Sequence, residues 1–207
     1  MNNLYAKYIK RVLDLALAII VSPIFLLIFV IIAPFIFFED KGSIMYKSKR
    51  RGYKNQIFYM YKFRSMKVNA PDVRNKDNTT FSSKNDPRVT RIGMFLRKTS
   101  IDELPQIINI IKGDMSWVGP RATMPQVGQI YVELTEMERK KLSVRPGITG
   151  YTAALYRNSI DKNEKLKYDG YYVDNISFIL DIKIVFWTFK TVVLRKNLYT
   201  NKDSSVH

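Results

Sequence analysis

Cysteine is absent from this sequence, and the single histidine is its last residue, His207. The first absence excludes disulfides, thiolate nucleophiles and cysteine metal sites, and leaves the redox compartment open. The second excludes Ser-His-Asp triads and His-ligated zinc. Acid–base or nucleophilic chemistry is left to carboxylates, Lys, Ser, Thr or Tyr. Acidic residues are also scarce: 18 Asp and Glu against 34 Lys and Arg give a net charge of +16. Anionic partners are therefore expected, whether nucleic acid, lipid head groups or phosphorylated small molecules. A hydrophobic content of 46% excludes a wholly disordered chain, and 207 residues suit one domain or one domain plus an appendage. No internal repeat, Walker loop or GxGxxG pattern occurs.

Charge is missing altogether from Leu15 to Phe38, where Ser22 is the one polar side chain. As a helix this run would extend roughly 36 Å, enough for the roughly 30 Å apolar core of a bilayer. No small-residue cleavage pattern follows it, which argues against a secretory signal. Pro23 and Pro34 interrupt it, and each removes a backbone donor. Lys7, Lys10 and Arg11 precede the run, while Lys41, Lys47, Lys49, Arg50, Arg51 and Lys54 follow it. Positive flanks favour the cytoplasm, and a single crossing cannot put both there. A helix broken at Ser22-Pro23 that dips in and returns satisfies both flanks, with a kinked spanning helix as the alternative.

The remainder reads as mixed, mainly helical α+β structure. Ile44 to Met66 has strand-like stretches around the basic turn Lys49 to Tyr53, a β-hairpin signal. Asn69 to Asn85 is polar and reads as a mobile loop. Ser100 and Glu103 have capping-box spacing, followed by Leu104, Ile107, Ile108 and Ile111 at helical spacing up to Gly113. Thr135 and Glu138 form a second such box. Asn175 to Arg195 reads as an amphipathic helix in a membrane interface with Trp187 at head-group depth, or else as a core helix.

Asp102-Glu103 is an adjacent carboxylate pair at an expected helix start, where the helix end favours the ionised form. Such a pair offers a nucleophilic oxygen and an oxygen ligand for Mg²⁺; a solvated cap is the plainer reading. Lys62, Arg64, Arg88, Arg91, Arg97 and Arg121 supply cations suited to phosphate oxygens. Two Gly-rich turns, Gly113 to Arg121 and Arg145 to Gly150, would let backbone approach a ligand closely.

These segments also follow a recognisable order. It runs Lys10-Arg11-x-x-Asp14, Ser22-Pro23, Tyr61-Lys62-Phe63-Arg64-Ser65-Met66, Asp86-Pro87-Arg88 and Thr99-Ser100-Ile101-Asp102-Glu103-Leu104-Pro105-Gln106. Gly113-Asp114-Met115-Ser116 to Gly119-Pro120-Arg121 and Arg145-Pro146-Gly147-Ile148-Thr149-Gly150 complete it. The series closely resembles the bacterial sugar transferases, the monotopic phosphoglycosyl transferases, from about Lys10 to Leu194. The resemblance implies a re-entrant membrane helix over residues 1–40 and a small catalytic domain over 41–207. That domain would lie on the cytoplasmic face of a bacterial inner membrane, with interfacial amphipathic helices.

The implied reaction moves a sugar-1-phosphate from a UDP-sugar to polyprenol phosphate with Mg²⁺, early in surface-glycan synthesis. Asp102 would be the nucleophile, Glu103 the metal ligand, and Lys62, Arg97, Arg121, Arg145 and Arg157 the phosphate contacts. Membrane lipids and other glycan-assembly enzymes would be partners, and nucleic acid would not. The chain departs from the family pattern at Ala122, where many members have Pro. It departs again at Tyr151 to Tyr156, in place of a Trp-Ala-Gln-Val-Asn-Gly stretch, which points to an uncommon donor. Two alternatives stay open: a membrane-tethered basic module for anionic lipid or nucleic acid, and an inactive scaffolding member of the family.

Overall fold

The computed structural model describes residues 4–73, 83, 86–125, 131–156 and 159–193. Most of the Asn69 to Asn85 loop, and Arg157, lie outside the described residues. After a π-helical turn at Tyr5–Ile9, helix α1 runs unbroken from Lys10 to Asp40, with both Pro23 and Pro34 inside it. The expected break at Ser22-Pro23 is thus a proline within a continuous helix. Ser22 Oγ donates to the Ala18 carbonyl at 2.6 Å, a local bond of the kind that helps a helix tolerate proline. The helix ends where Lys41 turns left-handed and donates its N–H to Phe37 O.

One face of α1 is buried along its length through Asp14, Ala18, Ile32, Ala33 and Ile36. The other exposes Ile20, Ile24, Leu27, Ile31, Phe35 and Phe38. The helix from Tyr5 to Asp40 is long and apolar enough to cross a membrane, and most of it is unburied, unlike a soluble core helix.

Strands β1 (Met45–Arg51) and β2 (Ile57–Phe63) form the expected antiparallel hairpin, in register from Met45 opposite Phe63 to Arg51 opposite Ile57. Its turn starts at Gly52, later than expected. Lys49 to Arg51 are still paired, and the left-handed residues Lys54 and Asn55 make the reversal. Helix α2 (Arg91–Thr99) follows, capped by Thr90 Oγ1 on the Gly93 N–H. A 3₁₀ turn (Ile101–Glu103) then leads into α3 (Gln106–Lys112), closed by Gly113 at φ 92°. The expected Ser100–Glu103 capping box does not form. Ser100 is left-handed (φ 59°) and ends α2, so it lacks the extended geometry of an N-cap. The Thr135–Glu138 box does form, opening α4 (Glu136–Lys141).

Strand β3 (Ser116–Val118) pairs in parallel with β4 (Gly147–Thr149). This pairing gives the two Gly-rich segments a different role from the expected one. Gly119 N donates to Thr149 O at 2.9 Å and Gly147 N to Pro120 O at 3.1 Å. A Cβ on Gly147 would lie 2.1 Å from Gly119 N, and one on Gly150 would lie 2.1 Å from Gly119 O. Gly119, Gly147 and Gly150 admit the close approach of the facing backbone.

Helices α5 (Tyr151–Leu155), α6 (Lys162–Asp174) and α7 (Phe178–Val193) complete the fold. Asp181 and Ile184 of α7 point inward, and Phe178, Ile179, Ile182, Phe186 and Phe189 point out. Trp187 also turns inward, edge-on to Tyr151 with ring centroids 5.9 Å apart, because the core beside α5 offers it an aromatic neighbour. The structure is therefore mixed helix and sheet, mainly helical, with α1 packed against two apolar clusters that also hold β2. Gly147→Ala is expected to destabilise the fold by about 1–3 kcal/mol or more, because rigid backbone cannot yield to the new methyl. A thermal-unfolding midpoint in detergent equal to the parent's would contradict this.

Candidate active site

Four segments, two of them adjacent in sequence, bring their charged side chains together. Strand β2 supplies Lys62, the 3₁₀ turn supplies Asp102 and Glu103, α2 supplies Arg97, and the stretch after β3 supplies Arg121. Lys62 Nζ donates to Glu103 Oε1 at 2.7 Å and lies 4.0 Å from Asp102 Oδ2. Arg121 Nη2 donates to the same Glu103 oxygen at 3.3 Å. Arg97 donates from Nε to Ser65 Oγ at 2.9 Å, and its charge acts on Asp102. The backbone around Arg121 is fixed by a bridge to Gly147. The Gly-rich segments thus carry part of the site themselves, since Arg121 ends the first of them and its pairing with the second holds it in place.

The two carboxyls differ in character. Burial pushes Asp102, 9% exposed, above the usual carboxylate value. Glu103 pushes the same way, while Lys62, Arg97 and Arg121 pull it back only in part. Burial also opposes ionisation of Glu103, but Lys62 and Arg121 outweigh it and hold this group at about 2. Glu103 is therefore a fixed anion, and Asp102 a more basic carboxylate beside it, with its own oxygens less tied up.

Beside Glu103 lies a cavity of about 90 Å³ lined by Val21, Ile24, Phe25 and Ile28 of α1 together with Leu104 and Ile107. Ser22 and Pro23 thus occupy the part of α1 that walls the site. Among the described residues no three His, Asp or Glu groups gather to cage a metal ion. Mg²⁺ commonly rests on one or two carboxylates plus substrate phosphates, and an ionised Glu103 next to Asp102 fits that pattern.

Other expected contacts lie elsewhere. Arg145 donates from Nε to Gly113 O at 2.8 Å, at the C-terminal end of α3, whereas Asp102 and Glu103 precede its N-terminal end. Arg88 is bound to Asp86 through Nε at 2.9 Å and Nη2 at 2.6 Å, which fixes the loop after residue 86. Tyr151 and Tyr156 both stack on Tyr168, with centroids 6.0 and 4.6 Å apart, so the segment that departs from the family pattern packs against α6. Sequence reasoning missed Glu39 and Asp40, which end α1 and bind the segments carrying the site. The signal was their place as the first charges after the apolar run.

The sequence matches the family described as bacterial sugar transferase over residues 5–195. The chain belongs to the bacterial sugar transferase family. It is 41% identical over 194 residues to the galactosyl transferase CpsE of Streptococcus agalactiae, covering 89% of this chain and 42% of that protein. It is 35% identical over 216 residues to the undecaprenyl-phosphate galactose phosphotransferase of Salmonella typhimurium, covering 96% and 44%. With the exopolysaccharide production protein ExoY of Sinorhizobium fredii it shares 37% identity over 205 residues, covering 92% and 88%. The chain thus spans less than half of the first two of these relatives and most of the third.

The raised Asp102 pKa has a consequence for stability. The folded state holds that proton more tightly than the unfolded chain, so stability falls as pH rises from the unfolded carboxylate value through the raised folded one. Above that window the whole penalty is present. Asp102→Asn is expected to raise the unfolding midpoint at neutral pH, and to change it little at about pH 4. Lys62 keeps Glu103 as its partner in the variant. A midpoint lowered at neutral pH would contradict the assignment.

Proposed function

We propose that this sugar transferase moves a sugar-1-phosphate from a UDP-sugar to polyprenol phosphate and releases UMP, at the cytoplasmic face of a bacterial inner membrane. The observation that carries the reading is the Asp102–Glu103 pair, held by Lys62 and Arg121 beside an apolar cavity whose wall is the long apolar helix. A lipid-linked phosphate needs both features: cations for its head and an apolar path for its tail.

In the first half-reaction an Asp102 carboxylate oxygen attacks the sugar-linked phosphorus. The bond from that phosphorus to the bridging oxygen breaks, and UMP leaves with the electron pair. Polyprenol phosphate then attacks the same phosphorus through a phosphate oxygen and displaces Asp102. Its raised pKa makes Asp102 the better nucleophile of the pair, and Glu103 stays anionic throughout. Lys62, Arg97 and Arg121 offset the repulsion between two carboxylates and a diphosphate, and they stabilise charge on the transferring group. Glu103 would hold Mg²⁺, which when bound would neutralise phosphate charge.

The membrane arrangement proposed is re-entrant: α1 stays helical through Ser22-Pro23, and the proline, which removes a backbone donor, is where it would bend back. Both ends of α1 are tied to the same body: Lys10 binds Asp181 of α7 at 2.5 Å, Asp14 accepts the Trp117 N–H at 3.2 Å, and Glu39 and Asp40 bind Arg91 and Arg64. A helix that carried its ends to opposite faces would have to break one set of contacts. Tyr5, in the turn before α1, meets Phe178 of α7 with centroids 6.1 Å apart, and the exposed apolar face of α7 would lie in the interface.

Detergent-purified protein given a panel of UDP-sugars and polyprenol phosphate is expected to release UMP with at least one of them. Glu103→Gln or EDTA should lower turnover at least roughly 100-fold, with Glu103→Asp retaining part of it. Failure with every donor, or full turnover after both treatments, would count against the reaction or the metal role respectively. Cysteines placed by Lys7→Cys and Tyr46→Cys should be labelled from the same side of sealed inverted vesicles; labelling from opposite sides would refute the re-entrant arrangement.

A further inference from the structure

The reaction just described leaves Glu39 and Asp40, the last two residues of α1, without a task. Glu39 is exposed, yet its carboxylate accepts the backbone N–H of Arg91 at 2.6 Å and of Ile92 at 3.2 Å. These are the first two N–H groups of α2, which a helix cannot satisfy by itself. The third, on Gly93, donates to Thr90 Oγ1 at 3.0 Å.

Asp40 reaches the other way. Its carboxylate accepts Arg64 Nη1 at 2.5 Å and the Val68 N–H at 3.0 Å. Arg64, 9% exposed, also donates to Ile36 O at 3.1 Å and to Ser43 O. It stands two residues after Lys62, while α2 carries Arg97 and ends three residues before Asp102. The two arms touch each other through Ser65. The Ser65 carbonyl accepts the Thr90 N–H at 3.2 Å, and a Cβ on Gly93 would lie 2.0 Å from it.

We propose that Glu39 and Asp40 are positioning residues: the end of the membrane helix grips α2 with one carboxylate and the end of β2 with the other. The grip sets Lys62 against Asp102 and Glu103. This proposal rests on the function proposed above. Neither residue touches the reacting groups, so their effect is on geometry, and a misplacement of about 1 Å in such a site can cost on the order of 100-fold in rate.

The test uses the full chain in lipid nanodiscs. Glu39→Ala is expected to lower kcat roughly 10-fold and the combined Glu39→Ala, Asp40→Asn variant roughly 100-fold. KM for the UDP-sugar and for polyprenol phosphate should stay within about twofold. Glu39→Asp should recover part of kcat, and the unfolding midpoint of Glu39→Ala should match the parent's. Because the chain has no cysteine, spin labels introduced by Lys49→Cys on β1 and Lys98→Cys on α2 report the spacing of the two arms directly. That distance distribution should be narrow in the parent and broad in the combined variant.

Parent-like kcat with an unchanged distribution would overturn the proposal. So would a lower kcat that tracks a lower unfolding midpoint and is not relieved by Glu39→Asp. If the parent releases no UMP with any donor, the failure belongs to the proposed function, and the label distances still decide the grip.

Discussion

Everything in this structure converges on the need to keep two neighbouring carboxylates charged where water is scarce. Unpaired, Asp102 and Glu103 would lose their charge to the cost of desolvation. Lys62 and Arg121 prevent that by sharing one oxygen of Glu103. The asymmetry matters: Glu103 takes most of the direct bonding, so Asp102 keeps a carboxylate that is ionisable but not fully neutralised by a bound cation. A nucleophile needs that condition, and a symmetric double salt bridge would not give it.

The scaffold serves this cluster through contacts that are backbone in kind. Parallel pairing of β3 with β4 fixes the chain before and around Arg121, and it works only because Gly119, Gly147 and Gly150 carry no side chain. Asn109, fully buried, acts as a short extra strand for β2: its Nδ2 donates to Tyr59 O at 2.7 Å and its Oδ1 accepts the Tyr61 N–H at 3.0 Å. That bond lies one residue before Lys62. The same α1 that turns Ile24, Leu27 and Phe38 outward gives its other face to the apolar clusters beside β2. An apolar surface long enough to cross a membrane and the packing that places the charged site are thus two faces of a single helix.

Local patterns were legible in the sequence because local physics produces them. The apolar run became α1, the alternating stretches became the β1–β2 hairpin, Gly113 closed α3, and Thr135 with Glu138 formed their box. Ordered motifs singled out the Asp102–Glu103 pair with Lys62 and Arg121, and the structure brings both cations onto Glu103 at 2.7 and 3.3 Å. Long-range partnerships were not legible. Ser100 and Glu103 have capping spacing, but tertiary pairing of Glu103 with Lys62 and the left-handed turn at Ser100 override it. The glycines signalled close approach without saying to what. Arg145 donates to Gly113 O just past the C-terminal end of α3, a partnership that no local pattern announces. Helix α2 was not read at all, since its start is capped partly by Glu39, more than fifty residues earlier.

The central claim is that Asp102 carries the transferring phosphosugar between two half-reactions. Mass spectrometry of the enzyme mixed with a competent UDP-sugar alone tests it most directly. The account predicts one equivalent of UMP and a phosphosugar adduct on the peptide containing Asp102, both absent in Asp102→Asn. An active preparation that forms no adduct, and releases UMP only once polyprenol phosphate is added, would contradict it.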